Sequence, residues 1–432
     1  MVRRAAIRYN RRAMTRPAGL RLAPLVAAIL AGCIHPTPAS RHLDPALLWV
    51  DDNRQRLDAM LDQYAGADTR PVAVFDWDNT VIKNDIGDLV TYWMLQHDKI
   101  LRPAKWSATS RYLTPDAVAA LDAACDGLAE PGQPLPTSRH PGCADEILAV
   151  YADGATTAGA DAFANWNFRA MEPSYAWAAQ LQAGYTPAEI TAFADAAIDA
   201  ALAADEGAEQ TVGSASVNAY ARIYPQIADL IATLAADGFD VWVLSASPQP
   251  VVEAFAARLD IPADHVVGVR AVLDDAGELT ADLQGCGKVA DGDDALIPYL
   301  EGKRCWMNKV IFGVDGPDAA EVQLDERRRP VFAAGDSDTD VAFLQDAVGL
   351  RLAINRNKPE LMCNAYGDFG GNWLVNPMFL APKAQLVSGY ACSVDACKDA
   401  TGVAGPCTNE HGDPIPDQQD AVFCVGGVYC DR

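Results

Sequence analysis

Asp76 and Asp78 stand two positions apart in the stretch VAVFDWDNT, at the mouth of a short apolar run. A second burst, GDSDTD at 335–340, adds Asp336, Asp338 and Asp340. Paired carboxylates allow a division of labour, with one acting as nucleophile and the other moving a proton. Several carboxylates that converge without basic neighbours repel one another, so a hard divalent cation is expected among them. Mg²⁺ suits a site of few carboxylates plus phosphate and water. An EF-hand calcium loop fits neither stretch. Val81 and Val341 fill the sixth position, where glycine is required, and Ala347 fills the twelfth position of the second stretch, where glutamate is required.

Such acids need elements to carry them. The apolar runs at 71–76, 240–244 (DVWVL) and 330–334 (PVFAA) read as buried strands, each opening onto a polar burst at 76–80, 245–247 or 335–340. Residues 265–273 and the segment GLRLAIN read as further strands, and 218–236, VVEAFAARL and DVAFLQDA as helices. Apolar strands alternating with helices predict an α/β fold, a Rossmann-like doubly wound parallel sheet covered on both faces. Ligands of such sheets bind at the carboxyl ends of the strands, where all three bursts lie.

The chain divides into six segments: a leader at 1–33, a tether and helix at 34–66, the first part of the core at 67–90, a mostly helical stretch at 91–217, the second part of the core at 218–388, and a Cys-rich appendage at 389–432. Net charge is -24, which argues against nucleic-acid binding. The leader holds seven arginines and no acid, so the remainder carries -31. Its basic stretch and apolar run, ending in LAGC, read as an export signal too short for a permanent membrane span. LAGC resembles a bacterial lipobox, which predicts lipid attachment at Cys33 and a lipid-anchored protein outside the cytoplasm, at the outer membrane. Ten further cysteines, with no CxxC, predict disulfides in an oxidising compartment rather than a metal cluster.

VAVFDWDNT, VWVLSAS and VFAAGDSDTD resemble, in that order, the first, second and fourth motifs of the haloacid dehalogenase-like phosphohydrolases. The resemblance covers about 67–90 and 219–355. It implies that Asp76 attacks phosphorus and that Asp78 serves the leaving alcohol and then water. It implies that Thr80 and Ser245 hold the phosphoryl oxygens. Asp76, the Asp78 carbonyl and Asp336 would bind Mg²⁺, with Asp340 supporting them. The third motif is a lysine, for which Lys303 and Lys309 are the candidates. Lys303 is preferred, because the apolar spacing of Met307, Val310, Ile311 and Val314 fits a helix beginning just after it.

The long insertion after the first motif implies a helical cap like that of the phosphoserine phosphatase branch, closing over a small phosphomonoester. Asp85 matches the position of a substrate-facing acid near the hinge of that cap. Trp93, Trp106, Trp166, Trp177, Tyr92, Tyr151, Tyr175 and Tyr185 are on helices, where core packing and a cage for an ammonium group are both open. Layout and address resemble bacterial phosphorylcholine phosphatases, which implies phosphorylcholine or phosphoethanolamine as substrates. Phosphoserine phosphatase-like or general scavenging activity is the alternative. A catalytically silent surface protein is the rival of another class; the intact Asp76, Asp78, Thr80, Ser245 and Asp336 count against it.

Overall fold

The structure, a computed structural model, describes residues 41–67 and 69–421. Cys33, Cys424 and Cys430 lie outside the described residues, as does the leader. Six parallel strands form the central sheet: β1 (Val72–Phe75), β2 (Asp240–Pro248), β3 (Val266–Val269), β4 (Phe332–Gly335), β5 (Leu350–Asn355) and β6 (Trp373–Pro377). Their order across the sheet is β3-β2-β1-β4-β5-β6. The chain therefore winds one way from β1 to β3 and then crosses back to β4. The crevice of an open α/β sheet falls at that reversal, beside the carboxyl ends of β1 and β4.

Strand residues divide between the faces by their period of two. Ala73, Phe75, Val241, Val243, Phe332 and Ala334 join one core, with Ile227, Leu230, Val251 and Phe255. Val74, Trp242, Leu244, Ala333 and Ala353 join a second, with Met307, Leu344 and Met362. Both faces are thus dry, which is why the strands read as near-continuous apolar runs.

The helices are α1 (Asn53–Tyr64), α2 (Ile86–Gln96), α3 (Pro115–Cys125), α4 (Pro141–Asp153), α5 (Pro173–Gln180), α6 (Pro187–Ala203), α7 (Pro225–Ala236), α8 (Gln249–Ala256), α9 (Glu301–Val310), α10 (Val341–Asp346) and α11 (Pro359–Gly367). The helical insertion begins at α2, which Asp85 caps by accepting from the Asp88 amide at 3.1 Å. Short strands at Ile82–Lys83 and Arg222–Ile223 pair where the insertion leaves and rejoins the core.

Two sequence expectations need correction. The helix predicted over 218–236 starts only at Pro225, because proline is suited to the first helical position and turns the residue before it away from helix. Residues 215–218 instead pair with 209–212. The strand predicted over 265–273 is two: β3 ends at Val269, and Ala271–Leu273 pairs antiparallel with Leu279–Leu283 around the turn at Asp274–Gly277.

Four disulfides occur among the described residues. Cys125–Cys143 joins α3 to α4, and Cys286–Cys305 ties a loop to α9. Cys363–Cys392 fastens the Cys-rich segment to α11, and Cys397–Cys407 closes a hairpin of two short strands within it.

Candidate active site

The carboxyl ends of β1, β2 and β4 meet at the floor of a cavity of about 730 Å³ between the core and the helical insertion. Asp76 follows β1, and its amide donates to the Ala334 carbonyl of β4. Its two carboxylate oxygens have different partners. Lys303 Nζ donates to Oδ1 at 2.7 Å and Thr80 Oγ1 to Oδ2 at 2.8 Å. The same Thr80 hydroxyl lies 3.1 Å from Asp336 Oδ1, and Arg356 pairs with the other oxygen of Asp336. Lys303 also donates to Asp340 Oδ1 at 2.6 Å, while Asp340 Oδ2 accepts the Asp336 and Ser337 amides at 2.9 and 3.0 Å.

Lys303 is 0% exposed, so its charge is compensated almost wholly by these carboxylates. Burial alone would lower its pKa; Asp340 and Asp76 more than offset that and hold it above the ordinary lysine range. Burial pushes Asp76 up to about 6 against the pull of Lys303. Gly335 is needed here, because a Cβ at that position would stand 2.5 Å from the Asp340 Cβ.

Asp78 faces elsewhere. Its Oδ1 accepts the Ile86 amide at 2.7 Å, and its Oδ2 accepts Ser247 Oγ at 2.8 Å and Ser245 Oγ at 3.2 Å. Burial, followed by the neighbouring Asp85 and Asp76, raises its pKa well above the carboxylate range. The cavity therefore has two acids of unlike character. Asp76 is tied to a lysine, and Asp78 is disposed to carry a proton, a split suited to nucleophile and acid.

Asp76, Asp336 and Asp340 have ligand oxygens within 4.8 Å of one another, all buried. An oxygen-only donor set of this density fits a hard dication such as Mg²⁺. Asp340 is engaged on both oxygens by Lys303 and two backbone amides, whereas Asp76 Oδ2 and Asp336 Oδ1 share only the Thr80 hydroxyl, which makes those two oxygens the less committed pair. The Asp78 carboxylate is outside this cluster; the expected contribution of Asp78 is its main-chain carbonyl.

The positions expected to hold phosphoryl oxygens are Thr80, Ser245 and Lys303. Thr80 and Ser245 are fully buried and lie off the cavity wall, their hydroxyls turned onto Asp76, Asp336 and Asp78. Ser247 and Lys303 are on the wall. Lys309 is not near the cluster: its Nζ donates to the Gly285 carbonyl and lies over the Trp306 ring. Asp85 is on the wall, as are Asp88, Glu172, Tyr151, Phe168, Tyr175 and Tyr299. The four cap tryptophans are not. Trp106 and Trp177 are core, and Trp93 stacks on His97 and Phe193.

Sequence reasoning missed Ser247, Arg356, Asp88 and Lys398. Two could have been found. Ser247 lies two residues beyond Ser245, on the same strand face. Arg356 directly follows β5, at the carboxyl edge that carries the other groups. Lys398 reaches the cavity only through tertiary docking of the Cys-rich segment.

The architecture is a Rossmann-like α/β fold around a six-stranded parallel sheet, and part of the chain matches the haloacid dehalogenase-like hydrolase family. The model of that family matches residues 153–345, which include Ser245, Lys303, Asp336 and Asp340. No curated protein matches the chain. Among solved structures, a conserved functionally unknown protein from Anaerococcus prevotii DSM 20548 is similar, with 20% identity over 74% of this chain and 89% of that one, and a TM-score of 0.53. A protein with unknown function from Bordetella pertussis Tohama I matches at 16% identity over 71% of this chain and 98% of that one, with a TM-score of 0.41. A phosphoserine phosphohydrolase-like protein from Francisella tularensis subsp. tularensis SCHU S4 matches at 15% identity over 66% and 87%, with a TM-score of 0.31. At 20% identity, the likeness to the Anaerococcus prevotii protein concerns the fold alone.

Proposed function

We propose that the protein is a Mg²⁺-dependent phosphomonoester hydrolase acting on a small phosphorylated metabolite. The observation that carries this reading is the buried Lys303 ammonium set 2.7 Å from Asp76 at the cavity floor, with Asp78 alongside in a proton-holding environment. Asp76 attacks the phosphorus, the bond to the ester oxygen breaks, and Asp78 gives its proton to the leaving alcohol. Asp78 then takes a proton from the water that cleaves the aspartyl-phosphate, returning both acids to their starting state. Lys303 balances the charge that gathers on the phosphoryl oxygens. Ser247, whose hydroxyl donates to Asp78 at 2.8 Å, holds that acid at the cavity wall. Asp76, Asp336 and the Asp78 carbonyl would hold Mg²⁺, which when bound would supply charge neutralisation.

The alcohol side of the substrate would face Asp85, Asp88, Glu172 and the rings of Tyr151, Phe168, Tyr175 and Tyr299. Acids interleaved with aromatic faces suit an ammonium head. Phosphorylcholine or phosphoethanolamine is therefore the preferred class, and the acidity of the whole chain favours a cationic group in the same direction. A comparison of kcat/KM across phosphorylcholine, phosphoserine, glucose 6-phosphate and an aryl phosphate should place the choline ester first by about tenfold, ~1.4 kcal/mol. A sugar phosphate or aryl ester ahead by that margin would remove cationic selection and favour a general scavenging phosphatase.

The address is proposed as outer-membrane lipoprotein. Four disulfides support an oxidising compartment. Cys33→Ser is expected to abolish acyl labelling and move the protein from the membrane fraction to the soluble or uncleaved pool. Membrane association unchanged by the substitution, with no acyl label on the native protein, would refute the anchor.

A further inference from the structure

Lys303 stands in the first turn of α9, and that turn begins in an unusual way. Leu300, the residue before the helix, has φ 48° and ψ -120°, a left-handed backbone that a branched aliphatic side chain rarely adopts. Such a conformation persists where its surroundings over-determine it. Gly302 follows, and a Cβ there would meet the Ile297 carbonyl oxygen at 1.9 Å, so the turn is also tightly crowded.

The surroundings that hold it come from the helical insertion. The Glu301 amide donates to the Arg169 carbonyl at 3.1 Å, and the Ile297 amide to the Ala170 carbonyl at 3.1 Å. The Arg169 side chain closes the contact in three directions. Its Nε donates to Glu301 Oε1 at 2.7 Å, and one terminal nitrogen donates to both oxygens of Glu360 on α11, at 2.9 and 2.7 Å. That same nitrogen lies 3.3 Å from the Lys398 carbonyl in the disulfide-closed hairpin. The hairpin is joined to the insertion a second time, by the Phe168 amide donating to the Ala400 carbonyl at 2.9 Å, and Lys398 Nζ lies 5.0 Å over the Phe168 ring.

We infer that Arg169 is a positioning residue for Lys303. It registers the cap and the C-terminal hairpin on the strained start of α9, and so sets the lysine against Asp76 only while the cap is seated. The Cys-rich segment is then part of the device that assembles the site rather than a passive appendage. This inference rests on the phosphatase reading for its catalytic consequence, but not for its structural one.

The test uses the full chain with its disulfides formed. Arg169→Ala is expected to lower kcat at least about tenfold while KM shifts less than about threefold. Arg169→Lys, which can reach one glutamate but not both, should recover part of the loss. Hydrogen exchange should show residues 300–305 losing protection in Arg169→Ala while β1 and β4 keep theirs. Glu301→Gln and Cys397→Ser/Cys407→Ser should each move the same amides in the same direction, and they carry the measurement if Arg169→Ala fails to fold. Unchanged exchange at 300–305 across these variants overturns the inference, whatever the activity. A wild-type protein that releases no phosphate, with exchange at 300–305 still dependent on Arg169, sinks the phosphatase reading and leaves the positioning role standing.

Discussion

Asp76→Asn is expected to lower phosphomonoester turnover at least about a thousandfold, ~4 kcal/mol in the barrier, with the fold retained. The amide matches the carboxylate in shape and can still accept from Thr80, but it is a poor nucleophile and a poorer ligand for a hard cation. Retention follows from the charge count around Lys303. The lysine keeps Asp340 at 2.6 Å, so the substitution leaves no buried cation unpaired. The companion Asp78→Asn separates two roles. Loss of a proton donor should cost roughly 10²–10⁴ for an alkyl phosphate. An aryl phosphate, whose leaving group needs little protonation, should suffer less. Turnover by Asp76→Asn above a few per cent of wild type, or an equal loss on both ester types for Asp78→Asn, contradicts the assigned chemistry.

Lys303→Met carries the largest expected effect on stability. The ammonium is fully buried between two carboxylates, and its removal leaves Asp76 and Asp340 uncompensated in a dry site. Breaking a buried pair from one side costs about 3–5 kcal/mol. The sign of the pH dependence follows. Without the lysine, burial raises both carboxyl pKa values further above their unfolded values. A raised carboxyl pKa penalises the folded state above that pKa, and the penalty fades as pH falls toward the unfolded value. The gap between wild type and variant in urea unfolding should therefore be widest at neutral pH and narrow toward pH ~4. Added Mg²⁺ should recover part of it, since a dication supplies the missing charge. Lys309→Met removes only one bond to a carbonyl and should cost roughly 1 kcal/mol with little pH dependence. Equal losses for the two lysines would refute the special position of Lys303.

That contrast also marks where the sequence stops being informative. Apolar runs of four to six residues, each ending in a polar burst, are readable because β1, β2 and β4 are buried on both faces and end at the same edge of the sheet. The sheet class, the order of the acidic stretches and the candidates Asp76, Asp78, Asp336, Asp338 and Asp340 follow from local pattern, while the choice of Asp336 and Asp340 among the last three is what the family resemblance implies. The choice between Lys303 and Lys309 did not follow with the same force. Six residues along a helix are well over one turn apart and point to different faces, so the answer depends on where α9 begins and which face it turns to β1. Tertiary packing settles both, because the start at Glu301 is held from outside the helix by Arg169.

Thr80 and Ser245 show the same limit from the other side. Their place in the motifs is legible, but the direction of a hydroxyl is a matter of which neighbours lack a partner. Buried Asp76, Asp336 and Asp78 need donors, and these hydroxyls supply them. The wall of the cavity is the least legible feature of all. Asp88, Tyr151, Phe168, Tyr175 and Lys398 come from the insertion and the Cys-rich segment. Their convergence on the site depends on non-local docking, in which Arg169 bonds to Glu301, Glu360 and the Lys398 carbonyl and Cys363–Cys392 fastens the Cys-rich segment to α11. By itself, then, the sequence determined the sheet and its acidic edge, because burial and strand period write themselves locally into residue order. Only the tertiary structure decided which lysine, which hydroxyls and which rings line the cavity, because most of those contacts join residues tens to hundreds of positions apart.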